Sequence, residues 1–530
     1  MSELVHELIF AGARRAAHAP ALTHAGVSLD YAALAAQVGA AAGALRALGV
    51  NAAERVAVYL DKRGDTVAAL FGAAAAGAVL VPVNPLLKAE QVAYILGDCQ
   101  VRVLVTTAER WRLLAPALAG SAHLHSVILS GSADLDDAGA SPRLLGWDQA
   151  MRLAAGAPPA HRRIDADMAA ILYTSGSTGK PKGVVLSHRN LVAGARSVAS
   201  YLALTPADRL LAVLPLSFDY GLSQLTTAFA SGASVVLINH LFARDIVSAV
   251  AEHGITGLAA VPPLWIQLAQ LAWPAGCSLR FLTNSGGAMP QATSAALRAA
   301  LPRAELFLMY GLTEAFRSTY LPPSELDARP GSMGRAIPNA EVLVVRPDGS
   351  LCDPGEAGEL VHRGALVALG YWNDPVKTAE RFRPAPGRDP ALPLAELAVW
   401  SGDQVRMDGD GFLYFIGRAD DMIKVSGYRV SPSEVEEVLH ASGLLGDVAA
   451  FGVPHPQLGQ AIVAVAVARA DAAPEVAQLL RHCQRLLPAY MVPLHLELRT
   501  GALARNPNGK IDRKLLQHSF SSLFESAPPP

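Results

Sequence analysis

Five short runs rich in branched and apolar residues, at 55–60, 78–83, 101–106, 126–129 and 234–238, alternate with longer stretches whose Ala and Leu recur at helical spacing. Each run is too short for a stable helix but fits a strand buried on both faces. A dozen or more residues between runs is the connection that parallel strands need. The alternation therefore predicts an α/β fold with largely parallel sheets sandwiched by helices. At 530 residues the chain exceeds what one hydrophobic core organises, so at least two domains are expected. The most apolar run, 67–83, is rich in Ala and Gly and meets Pro82 and Pro85 before it reaches the roughly 20 residues that span a bilayer. It reads as a buried helix running into a strand.

Composition narrows the class of ligand. The formal net charge is −2, so no basic field draws the chain to nucleic acid or to anionic lipid, and a small neutral or anionic substrate is expected. Cys99, Cys277, Cys352 and Cys483 lack the close paired spacing of zinc ligands or of a disulfide framework and read as reduced core thiols. The first twenty residues have acidic residues early and no uninterrupted apolar stretch, unlike a secretory signal, and a cytoplasmic location without a transmembrane segment is expected. Segments 132–141 and 382–393 read as exposed loops. After Leu413-Tyr414-Phe415 the chain turns through 417–421, begins a strand at Met422, and enters a helix capped by Ser431 or Ser433 with Glu434, Glu436 and Glu437 in its first turn. This divides the chain into a core of 1–416, a hinge of 417–421 and a small domain of 422–530.

Residues 172–183 read LYTSGSTGKPKG, a β-rich lead into hydroxyls, glycines and two lysines. Gly176 and Gly179 permit close backbone approach and positive φ. Thr174, Ser175, Ser177 and Thr178 add hydroxyl donors, and Lys180 and Lys182 add charge, which together suit phosphate oxygens. The GxxxxGK[ST] spacing of a P-loop ATPase is absent.

This string closely resembles the signature of the adenylate-forming superfamily, which includes acyl-CoA synthetases, nonribosomal adenylation domains and luciferases. Further signatures follow in the expected order: NSGGAMP at 284–290, YGLTE at 310–314, GEL at 358–360, SGD at 401–403, GRADDMIKVSGYRV at 417–430 and NPNGKIDR at 506–513. The resemblance implies a large N-terminal domain with a β-barrel-like subdomain and a small mobile α+β C-terminal domain. It assigns ATP and Mg2+ as cosubstrate and ion. Tyr310 and Gly311 would stack on and border adenine, Gly286, Gly287 and Ala288 would line the nucleotide and acyl pocket, Thr313 would contact phosphate, and Glu314 would hold the metal. Asp403 would accept the ribose hydroxyls with Arg418 nearby. Lys510 would be the catalytic cation bridging carboxylate and α-phosphate, alongside Thr178 and Glu314; such a charge contributes roughly 10²–10³ in rate. The hinge maps to Asp420, with Gly427 and Arg429 facing the site during thiol transfer.

The implied reaction activates a small-molecule carboxylic acid to acyl-AMP and passes it to a thiol, either coenzyme A or a separate phosphopantetheinyl carrier protein. The acid is less legible. Phe218 stands where many acyl-CoA synthetases place an aromatic gate, yet Phe218-Asp219 also resembles the Phe-Asp of amino-acid activators, whose Asp pairs with the α-ammonium. Arg317 suits a second carboxylate or a polar head group of the acid, or else a surface ion pair. The string YGLTEAFRSTYLPP is most similar to AMP-forming ligases of the exosortase-associated type, and also resembles stand-alone prolyl-carrier-protein ligases.

Overall fold

Strand Arg55–Val58 has Val56 and Ala57 with no exposed surface, as a strand covered on both faces requires. In this computed structural model, which describes residues 2–131, 141–174, 181–387, 389, 391–418, 422–469, 472–501, 503–504 and 511–524 and only the backbone of Arg418, that strand sits within a parallel sheet. Its neighbours are Val79–Pro82 and Val101–Thr106, followed by Ser126–Leu129 and Arg143–Gly146. The hairpin Met168–Thr174 and Lys182–Ser187 closes the other side, with Met168–Thr174 parallel to Val79–Pro82. A second sheet runs in parallel through Ser234–Leu237, Arg209–Ala212, Gly257–Ala260, Phe281–Asn284 and Glu305–Leu312.

Beyond Glu305–Leu312 the pairing becomes antiparallel through Phe316–Leu321, Ser332–Ala336, Leu413–Arg418, Leu397–Met407, Ala357–Gly364 and Ala340–Val345. The strands expected as a barrel-like subdomain thus continue the edge of the large sheet. Helix Gly64–Ala75 is buried from Thr66 through Ala74, so it lies inside the domain, and it leads into Val79–Pro82 as the apolar run at 67–83 predicts.

The small domain is a separate sheet. Leu445–His455 pairs antiparallel with Gly459–Ala468, which pairs parallel with His495–Arg499. Helices Pro432–His440 and Val476–Leu486 bury Val435, Leu439 and Leu479 against it. The mixed α/β architecture of a large N-terminal and a small C-terminal domain is the one the sequence predicts.

Some local expectations change. Segment 382–393 is not wholly a loop: Phe382–Pro384 pairs with the start of Leu397–Met407, because Phe382 is buried and Pro384, lacking an N–H, is tolerated at an edge. The strand expected at Met422 begins at Ile423, and Ser431 stands at the helix N-cap without a side-chain cap bond. Cys99 and Cys483 are buried, whereas Cys277 and Cys352 are partly exposed; all four are free. Segment 132–140 lies outside the described residues.

Candidate active site

The site forms where strands from both sheets end beside the small domain. Gly311 pairs with Arg317 and Leu312 with Phe316 across the tight hairpin that carries Glu314. A Cβ at Gly311 would lie 2.0 Å from the Phe316 carbonyl oxygen, so this turn admits glycine alone. The hairpin buries the Glu314 side chain to 1% exposure.

Glu314 meets groups from two other elements. Lys182, the first residue of Lys182–Ser187, places Nζ 3.4 Å from Glu314 Oε1. Tyr371, from the two-residue strand Gly370–Tyr371, donates its hydroxyl to the same oxygen at 2.6 Å and accepts from Lys182 Nζ at 2.8 Å. Burial alone would raise the Glu314 pKa, but the charges of Lys182, Arg429 and Arg381 and the Tyr371 bond outweigh it and hold the carboxyl at about 2. Burial lowers the Lys182 ammonium from its usual range, against the pull of Glu314. Glu314 Oε2 is buried and makes no hydrogen bond among the described residues. An ionised, fixed oxygen without a partner fits a hard divalent cation whose remaining ligands come from phosphates and water.

Asp403, in strand Leu397–Met407, is 2% exposed and accepts a hydrogen bond from the Tyr310 hydroxyl. Its backbone pairs with Arg418, so the two sequence-predicted partners are adjacent across the ladder. One face of the Tyr310 ring stacks on His362 at 6.0 Å between centroids. Thr174 ends the strand opposite Lys182, and its buried Oγ1 has no partner among the described residues. Tyr310, Gly311, Thr313, Asp403, Thr174 and Gly286 all border one cavity. Gly287 instead lies against Pro262, and Ala288, expected to line the pocket, is exposed where the chain turns away after Gly286 at φ +82°.

The same cavity extends to the small domain. Ser426 and Gly427 have φ values of 49° and 84°, the two left-handed residues of a tight hairpin turn between Ile423–Val425 and Tyr428–Val430. This tip presses on the large domain: a Cβ at Gly427 would come within 2.8 Å of Val261 Cγ1. Tyr428 stacks on Tyr490 at 3.9 Å and meets Phe218 edge-on at 5.2 Å. Gln91 Nε2 donates to Glu434 Oε1 at 3.1 Å across the domain junction. Arg429 lines the cavity beside this tip.

The acyl-side candidates also converge. Phe218 precedes helix Asp219–Ser231, and Asp219 stands in its first turn. Burial raises the Asp219 carboxyl above its usual value, with the Arg317 charge opposing. Arg317 is 1% exposed, and both residues border the cavity. Ser175, Gly176, Ser177, Thr178, Gly179, Lys180, Asp420 and Lys510 lie outside the described residues, as does the side chain of Arg418. Sequence reasoning misses Tyr371, Arg381 and Gln91. A two-residue strand has no periodicity to detect, and the other two lie outside every matched string.

A two-domain α/β protein with an aromatic–Asp pair on its cavity wall and a buried, ionised carboxylate next in sequence to the cavity-lining Thr313 has the features of a nucleotide-using enzyme. The family model described as AMP-binding enzyme matches residues 9–372, and that of the AMP-binding enzyme C-terminal domain matches 434–510. The chain belongs to the AMP-binding enzyme family, the adenylate-forming ligases. It is 32% identical over 520 residues to an L-proline–[L-prolyl-carrier protein] ligase of Pseudomonas fluorescens, covering 96% of this chain and 98% of that one. It is 34% identical to a sulfoacetate–CoA ligase of Cupriavidus necator, covering 93% of each. Among solved structures, an amide bond synthetase from Marinactinospora thermotolerans superposes with a TM-score of 0.84 at 26% identity, covering 98% of this chain and 99% of that one. Among the described residues, no helix is long and apolar enough to cross a membrane.

Proposed function

We propose that this enzyme activates a carboxylic acid with ATP as an acyl adenylate and transfers the acyl group to the thiol of coenzyme A. The observation that carries the reading is the single cavity that joins Tyr310, Asp403 and Thr174 to the Gly427–Tyr428 tip of the small domain. Residues on the nucleotide side and residues of the small domain both line it, which supports two half-reactions at one site.

In the first half-reaction a carboxylate oxygen of the acid attacks the α-phosphorus and pyrophosphate leaves. In the second, the thiol sulfur attacks the acyl carbon, its proton is lost, and AMP leaves with the former carboxyl oxygen. Asp403 accepts the ribose hydroxyls, Tyr310 offers a ring to adenine, and the 174–180 loop with Lys182 holds phosphate oxygens. Lys182 and Tyr371 fix Glu314 so that Oε2 would hold Mg2+, which when bound neutralises phosphate charge. Lys510 serves adenylation, and rotation about Asp420 exchanges it for the Gly427 tip. We place the enzyme in the cytoplasm and in the exosortase-associated group on the string at 310–323.

A second reading, a stand-alone amino-acid activator that loads a carrier protein, is favoured by Asp219 in the cavity wall and by the likeness to the proline ligase. Pyrophosphate release across fatty, aryl and amino acids, followed by mass analysis with coenzyme A or a phosphopantetheinylated carrier, tests both. A coenzyme A thioester supports the first reading. A loaded carrier with no coenzyme A product supports the second, and acid-independent release overturns both.

A further inference from the structure

Arg317 is fully inside the protein, and its Nε, Nη1 and Nη2 make no hydrogen bond of good geometry among the described residues; its charge is felt by the Tyr201 phenol, whose hydroxyl already donates to Met309 Sδ. Its guanidinium lies 3.9 Å from the Phe316 ring centroid and 5.1 Å from that of Tyr220. Aromatic faces hold a cation in place but leave its in-plane N–H donors unfilled. Asp219 borders the same cavity without forming an ion pair with it. Ser217 Oγ, also on the cavity wall, and Thr227 Oγ1, beside the small void behind Arg317, are likewise buried without partners. A buried cation with unfilled N–H donors is unfavourable for folding, and an alkyl or aryl tail offers those donors no acceptor.

We propose that the acid activated here carries, on its tail, a second oxyanion such as a carboxylate or a sulfonate, and that Arg317 is the residue that selects it. The inference rests on the adenylation reading and names its substrate class. The planar guanidinium suits bidentate pairing with an oxyanion, and the Ser217 hydroxyl on the same cavity wall supplies a further donor. Asp219 does not oppose this arrangement, because an oxyanion beside it favours the protonated carboxyl, which donates.

The test is acid-dependent ATP–pyrophosphate exchange with chain-matched acids that end in methyl, carboxylate or sulfonate, with proline included. Wild type is expected to prefer one oxyanion-ended acid over its methyl-ended match by at least about 10²-fold in kcat/KM, since a site built around polar donors rejects a ligand that leaves them unfilled; the better of the two arms identifies the oxyanion. Arg317→Met is expected to abolish that preference, chiefly through KM, and Arg317→Lys to retain part of it. Arg317→Met should melt no lower than wild type, because it removes an unpaired buried charge. Preference for methyl-ended acids or for proline, an unchanged preference in Arg317→Met, or a lower melting temperature in that variant overturns the inference while adenylation stands. Exchange with no acid at all overturns the adenylation reading, and this inference with it.

Discussion

Replacing Glu314 by Gln keeps the shape of the side chain and removes its charge. Lys182 Nζ at 3.4 Å, Arg381 and Arg429 then lose the anion they surround, and Tyr371 donates to a neutral oxygen. The carboxyl sits at about 2 where 4.5 is ordinary, which at about 1.4 kcal/mol per pH unit amounts to about 3 kcal/mol in favour of the charged form. Because the folded-state pKa is depressed, that stability is fully present above about pH 4.5 and is lost as pH falls towards 2. Glu314→Gln should therefore be less stable than wild type by up to about 3 kcal/mol at pH 7, with the gap closing below pH 4.5. Denaturant unfolding at several pH values reads this. In ATP–pyrophosphate exchange the same variant should lose roughly 10²–10³ in rate and require more Mg2+. A variant with wild-type Mg2+ dependence and no pH-linked stability gap would refute the placement of the ion at Oε2.

Gly427→Ala should slow thioester formation by about tenfold while pyrophosphate release stays within about twofold, because its Cβ meets Val261 only when the tip is docked; separate single-turnover assays of the two steps check this. Burial raises Glu434 to about 7, so the docked state binds a proton that the free carboxyl gives up, and docking weakens as pH rises from about 4.5 to 7. Glu434→Gln should abolish that pH dependence in hydrogen exchange at the Gln91–Glu434 junction. Lys510→Ala should abolish adenylation yet leave thiol transfer from supplied acyl-AMP largely intact; equal loss of both steps in the two assays would refute that division of labour.

The parallel strands were legible because burial on both faces leaves short runs dominated by branched and apolar residues, and 101–106 and 126–129 match the observed bounds. Glu314, Asp403 and Tyr310 were legible because their strings match family signatures, and the structure pairs Tyr310 with Asp403 on the cavity wall. Tyr371 was not, since its role arises from a long-range pairing of Gly370–Tyr371 with Lys182–Ser187. The short strand Phe382–Pro384 was hidden by Pro384 and the prolines after it, and Gln91, which also accepts from the Lys88 N–H at its own helix start, by the fact that only the small domain brings Glu434 to it. Arg317 was read as a surface or ligand residue, and its burial, which the sequence does not reveal, excludes the surface ion pair.

The most direct test of the central claim is oxygen transfer. An accepted acid labelled with 18O in its reactive carboxylate, turned over with ATP and coenzyme A, should give AMP that carries one 18O per thioester formed. ADP and labelled inorganic phosphate with unlabelled AMP would contradict an acyl-adenylate route.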